Sequence, residues 1–167
     1  MNTEELRELV AYDPETGVLT RRVTLASNAQ AGQPITGVVG EGYIQCVIKG
    51  QFFLGHRLAW QLYYGVVPAG HIDHINGNRA DNRICNLRLA TRSENLRNSK
   101  LRRDSVSGTK GVFWSAARKR WIASFAKPDG RRFWKACQTL ADAQCAVIEA
   151  RTALHGQFAN HGTTTTP

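Results

Sequence analysis

The chain has 167 residues, of which 42% are hydrophobic, and a formal net charge of +9 at pH 7. This length suits one compact domain or two small ones, and the ordinary apolar content argues against wholesale disorder. The sequence has no apolar run long enough to cross a bilayer, and the acidic start MNTEELREL is unlike a signal peptide, so we expect a protein of the cytosol or nucleoid.

The first 65 residues predict a small α+β region. TEELRELV predicts a short helix, and VLTRR, after the turn DPETG, predicts a short strand. Residues 23–42 predict a loop, YIQCVI alternates like a strand, and a turn leads from it into QFFLG. The segment RLAWQLYYG has helical spacing and ends at Gly65. We interpret three of its large side chains as packing residues: Trp60, Leu62 and Tyr63.

A polar stretch follows, and residues 66–99 predict a strand, loop, strand and helix. HIDHI and ICNLRLA are the strand candidates, with an Asn-Gly turn signal between them. Thr91 and Glu94 have the spacing of a capping box, which predicts a helix that begins just after Thr91. Asn95 then lies in the first turn of that helix, and Asn98 lies on the same face.

The last third of the chain predicts a second unit. Residues 100–110 are polar and charged, as in a linker. Residues 111–162 predict three strands, GVFWS, RWIASFA and RRFWKA, followed by a helix that ends near Gly156. The tail 163–167 predicts disorder. We interpret at least two of the three tryptophans in this unit as core residues: Trp114, Trp121 and Trp134.

The positive charge is concentrated around this second unit. Residues 92–135 hold thirteen Lys or Arg and three Asp or Glu, a balance of +10, whereas the rest of the chain holds nine against ten. Segregated charge of this size favours a polyanion partner, because neutralising phosphates releases condensed counterions. The alternative is a solvated face that only improves solubility.

The polar stretch contains the groups that phosphodiester hydrolysis needs. A divalent ion can stabilise the charge that develops on the phosphate, and a histidine can take a proton from water. Mg²⁺ in such sites takes one or two protein oxygens. Asp73, His74 and an asparagine of the following helix supply these groups. Side chains of adjacent strand residues point to opposite faces, so Asp73 and His74 serve one site only if the strand ends or bulges there.

Residues 73–98 have the pattern D-H-I-N-G-N-x-x-D-N-R-x-x-N-L-R-x-x-T-x-x-x-N-x-x-N. This pattern resembles that of the HNH endonucleases of phages and group I introns. The upstream segment HRLAW resembles the same branch. The resemblance implies a ββα-metal fold, with Asp73 and Asn95 as ligands of one divalent ion, Mg²⁺ or another such as Mn²⁺. It also implies that His74 is the general base and that Asn86 holds the His74 segment in place. The implied products carry 5′-phosphate and 3′-hydroxyl ends.

The second unit resembles the AP2/ERF-type DNA-binding domain in GVFW, RWIASF and LHGQFAN. This resemblance implies that a three-stranded sheet lies in the major groove of double-stranded DNA. Basic residues of both units are the candidate DNA contacts: Arg83, Arg88, Arg97, Lys100, Arg102, Arg103, Arg118, Arg120, Arg131 and Arg132. The arginines of the polar stretch either bind phosphates or are simply exposed: Arg79, Arg83, Arg88, Arg92 and Arg97. For Arg83 and Arg88, which follow the family pattern, a structural bridge is a further alternative.

The sequence thus predicts an α+β endonuclease with an HNH domain at residues 1–99 and a DNA-binding domain at residues 111–162. We expect a monomer or a homodimer. His56, His71 and Asn98 are candidate accessory residues, with His56 capping or packing its helix or lying near the scissile phosphate. A zinc site of His71, His74 and Cys85 is a minor alternative. The rival functions are a non-catalytic DNA-binding protein on a nuclease-like scaffold and a nuclease that acts on RNA or structured DNA.

Overall fold

A computed structural model describes residues 1–98, 101–102 and 104–162 of the chain. The predicted DNA contacts Lys100 and Arg103 and the predicted disorder of the tail lie outside these residues. The fold is α+β, as predicted, and the chain divides into two compact units, Met1–Asn95 and Leu96–Pro167. In the part of the chain that the structure describes, none of the helices has the length and apolar character needed to span a membrane.

The first unit begins with a helix and small antiparallel sheets. Its elements before the polar stretch are α1 (Thr3–Leu9), β1 (Val10–Tyr12), β2 (Leu19–Arg21), β3 (Val38–Val39), β4 (Tyr43–Ile48), β5 (Gln51–Leu54) and α2 (Gly55–Tyr64). Strand β1 pairs with β2, and β3, β4 and β5 form a second sheet in that order. The strand β1 and the short strand β3 were not predicted, because their pairing partners rather than local alternation define them.

Helix α2 joins two apolar clusters and thereby fixes the candidate site. Leu58 and Leu62 pack into a cluster with residues of α1, β1 and β4, whereas Ala59 and Trp60 pack against Ile72 and Leu87 of the next two strands. Burying a large apolar side chain contributes about 1.5–3 kcal/mol, so both faces of α2 are well anchored. Tyr63, predicted to pack, is 49% exposed.

The polar stretch folds as β6 (His71–His74), β7 (Leu87–Ala90) and α3 (Arg92–Arg97), and the two strands form an antiparallel pair. The segment ICN, predicted as the start of the second strand, is instead a 3₁₀ turn at Ile84–Asn86. Thr91 and Glu94 form the predicted capping box, because Glu94 N donates to Thr91 Oγ1 and Thr91 N donates to Glu94 Oε2. Helix α3 ends at Arg97, so Asn98 is the first residue beyond it.

The second unit contains the predicted three strands and helix. These are β8 (Val112–Ser115), β9 (Arg120–Ala126), β10 (Arg132–Cys137) and α4 (Leu140–His155), and β9 is the central strand of the antiparallel sheet. The core between α4 and one face of the sheet contains Val112, Ala123, Phe125, Ala143 and Val147.

Residues 104–110 pack onto the second unit and do not form the free linker that their composition suggests. Ser107 and Thr109 are buried, and Ser107 Oγ donates to Val112 O over 2.6 Å. Gln144 Nε2 donates to Ser107 O, and Arg151 donates to Lys110 O, both from α4. Ser107 and Thr109 can be buried in the second unit because their polar side chains have hydrogen-bond partners.

Candidate active site

Strand β6 ends at His74, in the middle of the candidate site. In its pairing with β7, Asp73 lies opposite Arg88 and His74 lies opposite Leu87. The two predicted functional side chains therefore leave the strand on opposite faces, as the pleat requires. The chain turns directly after His74, where Gly77 N donates to His74 O over 2.8 Å. The strand end that the sequence required at this point is present.

His74 is buried, with 4% of its surface exposed, among side chains from three other segments. Its Nε2 hydrogen-bonds Asn82 Oδ1 over 3.2 Å. An amide oxygen only accepts, so in this contact Nε2 carries the proton. The ring of His56, in the first turn of α2, lies edge-to-face with the His74 ring at 5.2 Å, and the ring of Tyr43 in β4 lies at 6.1 Å.

Both histidines are neutral near pH 7. Burial lowers the pKa of His74, and the Asn82 hydrogen bond and the charge of Asp73 oppose this effect only in part. Burial also lowers the pKa of His56 to about 3, with smaller contributions from His74 and Arg57. A neutral imidazole can accept a proton, so the environment keeps His74 in the form that a general base requires.

The position of Asn82 is fixed by residues far away in the sequence. Tyr12 Oη donates to Asn82 O over 2.7 Å. Gly17 has a φ of 76°, and a Cβ at this position would lie 2.7 Å from the Asn82 carbonyl carbon. A Cβ at Gly55 would lie 2.9 Å from Asn82 Nδ2. Only glycine permits these approaches, so both glycines help to fix the partner of His74.

Asn86 bridges the two sides of the loop between β6 and β7. Its Oδ1 accepts from Asn76 N over 3.0 Å, and its Nδ2 donates to Asp81 O over 2.8 Å. The backbone carbonyl of Asn86 also accepts from Ile75 N, directly after His74. These contacts restrain the loop on which Asn82 lies.

Asp73, a predicted metal ligand, forms a buried ion pair with Arg88. Arg88 Nε and Nη2 both donate to Asp73 Oδ2, over 2.8 and 2.6 Å, and the carboxylate side chain is 4% exposed. The other predicted ligand, Asn95, is half-buried in α3, where its N donates to Thr91 O. A carboxylate and an amide oxygen are donor types that Mg²⁺ accepts, so the donor chemistry fits a divalent ion.

The other predicted site residues in the first unit occupy separate places. Arg83 forms a bidentate ion pair with Asp81, which lowers the pKa of Asp81 to about 2. His71 is exposed at the start of β6. His56 is buried and packs its helix, but it does not cap it, since Leu54 is the N-cap residue.

The predicted zinc group is not found. Among residues 1–98, 101–102 and 104–162, no three or more His, Cys, Asp or Glu side chains come together as metal ligands. Cys85 is exposed, and so is His71.

Predicted DNA contacts of the second unit lie mainly around one sheet face. Along β9, Trp121, Ala123 and Phe125 alternate towards α4, so Arg120 and Ser124 belong to the opposite, open face. Arg132 and Trp134 of β10 and Phe113 of β8 share this open face through the strand register. Arg118 lies over the Trp134 ring at 5.6 Å.

Trp114 and Trp134 are 49% and 51% exposed, so the prediction that at least two tryptophans are core is wrong.

The remaining predicted residues of this unit have other partners. Arg131 N donates to the Asp129 side chain in the turn before β10, and Arg102 pairs with Asp104 on the surface. Arg97 O accepts from Lys110 Nζ. Asn98 is buried and accepts from Asn160 Nδ2 through both its backbone and side-chain oxygens, which indicates a structural role.

The structure also places near His74 two residues that the sequence had not linked to this histidine. Asn82 belongs to the pattern that carried the resemblance, but its pairing with His74 depends on the loop fold. Tyr43 was read only as part of a strand, and nothing local marks it as a neighbour of His56 and His74.

Comparison with known proteins places this site in a family. The chain is 35% identical to Protein 3.8 of Escherichia phage T7 over 105 residues, which is 62% of this chain and 86% of the phage protein. The chain belongs to the family of T7 Protein 3.8. Residues 54–97 match a family model described as HNH endonuclease. This HNH segment contains His56, Asp73, His74, Asn82 and Asn95, whereas Tyr43 and all but the first two residues of the second unit lie outside it.

A solved structure entitled DNA binding and cleavage by the HNH homing endonuclease I-HmuI is also similar. It has 17% sequence identity and a TM-score of 0.41, and the match covers 94% of this chain and 93% of that one. The match of residues 54–97 to the family model supports the predicted resemblance of this segment to the HNH endonucleases. The AP2-like interpretation of the second unit stays a prediction.

Proposed function

We propose that this protein is a metal-dependent DNA endonuclease that hydrolyses phosphodiester bonds to give 5′-phosphate and 3′-hydroxyl ends. The observation that carries the proposal is the buried, neutral His74 in an HNH segment, held by Asn82 beside a loop that Asn86 restrains. His74 takes a proton from the attacking water. Asn82 orients the ring and stabilises its protonated form, because Asn82 Oδ1 accepts from the ring N–H.

Asp73 and Asn95 would hold the divalent ion, as the family resemblance implies. When bound, such an ion stabilises the charge that develops on the phosphate and the leaving oxygen. Arg88 stays on the Asp73 carboxylate and fixes its orientation, as partners of metal ligands commonly do. The donor types suit Mg²⁺ or Mn²⁺.

The second unit supplies affinity for the duplex in this proposal. Its open face combines Arg120 and Arg132 with two half-exposed aromatic residues, Phe113 and Trp134. Guanidinium groups bind phosphates, and contacts to phosphates position a protein without reading sequence. This arrangement supports docking of the sheet on DNA, in the manner that the resemblance to AP2/ERF-type domains implies.

A cleavage assay tests the proposal. Supercoiled plasmid is incubated with purified protein and Mg²⁺ or Mn²⁺, with EDTA as control. We expect nicked or linear DNA only without EDTA, and loss of at least about 100-fold in rate for His74→Ala and Asp73→Ala, consistent with removal of a general base or a metal ligand. Both variants should bind DNA nearly as the wild type does. Asp129→Ala, in an exposed turn, is the matched control and should cut normally. Wild-type cleavage by His74→Ala would exclude His74 as the base.

A second candidate is a non-catalytic DNA-binding protein on the same scaffold. The observation in its favour is the ion pair of Asp73 with Arg88, which gives the predicted metal ligand a structural partner. This candidate predicts unchanged plasmid in Mg²⁺ and Mn²⁺ together with normal DNA binding. A nuclease that prefers RNA or structured DNA is distinguished by adding RNA or branched DNA to the plasmid reaction. In that case the added nucleic acid inhibits cleavage of the plasmid.

A further inference from the structure

Arg79 contacts a ring that also lies near the proposed base, and it has no part in the proposed reaction. It is in the loop between β6 and β7, and its guanidinium carbon lies 4.8 Å from the centre of the Tyr43 ring. The same ring lies 6.1 Å from the His74 ring and 5.2 Å from the His56 ring. The Tyr43 ring therefore lies near both the Arg79 guanidinium and the proposed general base.

Glu41 forms an ion pair with this cation. Arg79 Nη1 donates to the Glu41 carboxylate and, over 3.2 Å, to the Glu41 carbonyl. The Arg79 side chain is 37% exposed and that of Glu41 is 76% exposed. An exposed ion pair contributes little to stability, so an incoming anion can replace the carboxylate at small cost.

The neighbouring arginines differ from Arg79 in the burial of their partners. The Asp81 carboxylate that holds Arg83 is 12% exposed, and the Asp73 carboxylate that holds Arg88 is 4% exposed. Drawing either arginine away would leave a buried carboxylate without its counter-charge, which is strongly unfavourable. Glu41, in contrast, can return to water. Of these three arginines, Arg79 is the one whose guanidinium can change partner.

We propose that Arg79 binds a backbone phosphate of the DNA next to His74, and that Glu41 keeps the guanidinium on the Tyr43 ring until that phosphate displaces it. This inference rests on the proposed function, since it names a substrate-binding residue of the same site. A carboxylate and a phosphate both offer paired oxygens to a guanidinium, so the exchange replaces one charge-assisted contact with another.

The test measures DNA binding in a His74→Ala background, where no cleavage interferes. The affinity for a labelled duplex is measured by fluorescence anisotropy over a series of KCl concentrations. Arg79→Ala should weaken binding about tenfold or more, as expected for loss of a charged hydrogen-bonding partner. It should also reduce the slope of log affinity against log salt by about 0.9, the value for one phosphate contact. Arg79→Lys should retain the slope with an intermediate affinity. Glu41→Gln should tighten binding about two- to fivefold, because it removes a competitor of ordinary exposed-pair strength.

The ion pair of Arg7 and Glu4 in α1 provides the controls, since its side chains are 46% and 77% exposed. Arg7→Ala and Glu4→Gln make the same charge changes away from the proposed site. The inference is overturned if Arg79→Ala matches Arg7→Ala in slope, or if Glu41→Gln matches Glu4→Gln in affinity. Failure of the proposed function appears separately, as absence of cleavage by protein with an intact His74, whatever the binding data show.

Discussion

At the scale of single residues, His74 depends on a partner that the loop fold supplies. The pattern around Asp73 and His74 identified the candidate base from the sequence. It did not assign Asn82 to the ring, because that contact requires Tyr12, Gly17 and Gly55 to hold Asn82 in place. These residues are distant in the sequence, and no local pattern links them to His74.

The Asn82 contact gives a prediction about pH. His74 acts as a base only when neutral, so activity falls as the pH drops through its pKa. Asn82→Asp places a carboxylate on the ring and stabilises the imidazolium, which raises the pKa of His74. The acidic limb of the profile of kcat/KM against pH should therefore move to higher pH, by about one unit or more.

Asn28→Asp is the control for this profile, because Asn28 is exposed and the substitution makes the same charge change. We expect its acidic limb to coincide with that of the wild type. An unmoved limb in Asn82→Asp would show that His74 does not control the acidic side of the profile.

At the scale of elements, the sequence predicted segments with strong local signals. The strand β4 coincides with the alternating YIQCVI, and α3 begins after Thr91, where the capping box placed its start. The segment ICN was wrongly predicted as strand, because Ile84 N donates to Pro14 O and Asn86 N closes a turn on Arg83 O. Composition also suggested a linker at residues 100–110, whereas hydrogen bonds from α4 hold Ser107 and Lys110 on the second unit.

The capping box predicts how α3 contributes to the site. Thr91→Ala removes the acceptor for Glu94 N and should destabilise the start of α3 by about 1 kcal/mol. Because Asn95 lies in this first turn, we expect a several-fold higher Mg²⁺ concentration for half-maximal cleavage. Titration of Mg²⁺ at saturating DNA measures the effect.

Thr91→Ser keeps the capping oxygen and should behave as the wild type does. An equal requirement for Mg²⁺ in Thr91→Ala and wild type would argue against Asn95 as a ligand, provided that the variant folds, as circular dichroism can establish.

At the scale of the whole molecule, charge is separated along the chain. The excess of positive charge in residues 92–135 overlaps the second unit, and that unit presents Arg120, Arg132 and the Arg118–Trp134 contact around its open face. The prediction of a polyanion partner needed only the sequence. The distribution of arginines and aromatic residues over the open face needed the register of β8, β9 and β10.

This separation predicts the salt dependence of DNA binding. The triple variant Arg118→Ala, Arg120→Ala and Arg132→Ala should reduce the slope of log affinity against log salt by up to about 2.7, since each phosphate contact contributes about 0.9. The affinity is measured by anisotropy with one duplex throughout.

The triple variant Arg7→Ala, Arg21→Ala and Arg22→Ala removes the same charge from the first unit and serves as the control. We expect its slope to change far less. Equal slopes for the two triple variants would indicate that net charge, and not the open face, controls binding.

The sequence by itself determined the fold class, the HNH segment and its Asp73-His74 pair, since short patterns of polar residues, turns and caps act over a few positions. Only the tertiary structure decided which groups surround His74. Burial keeps His74 neutral, Asn82 orients its ring, and Tyr43 lies near both this ring and the Arg79 guanidinium. Each of these effects needs residues from separate segments to lie within a few ångströms of one another, and that proximity depends on packing around α2 that no local pattern records.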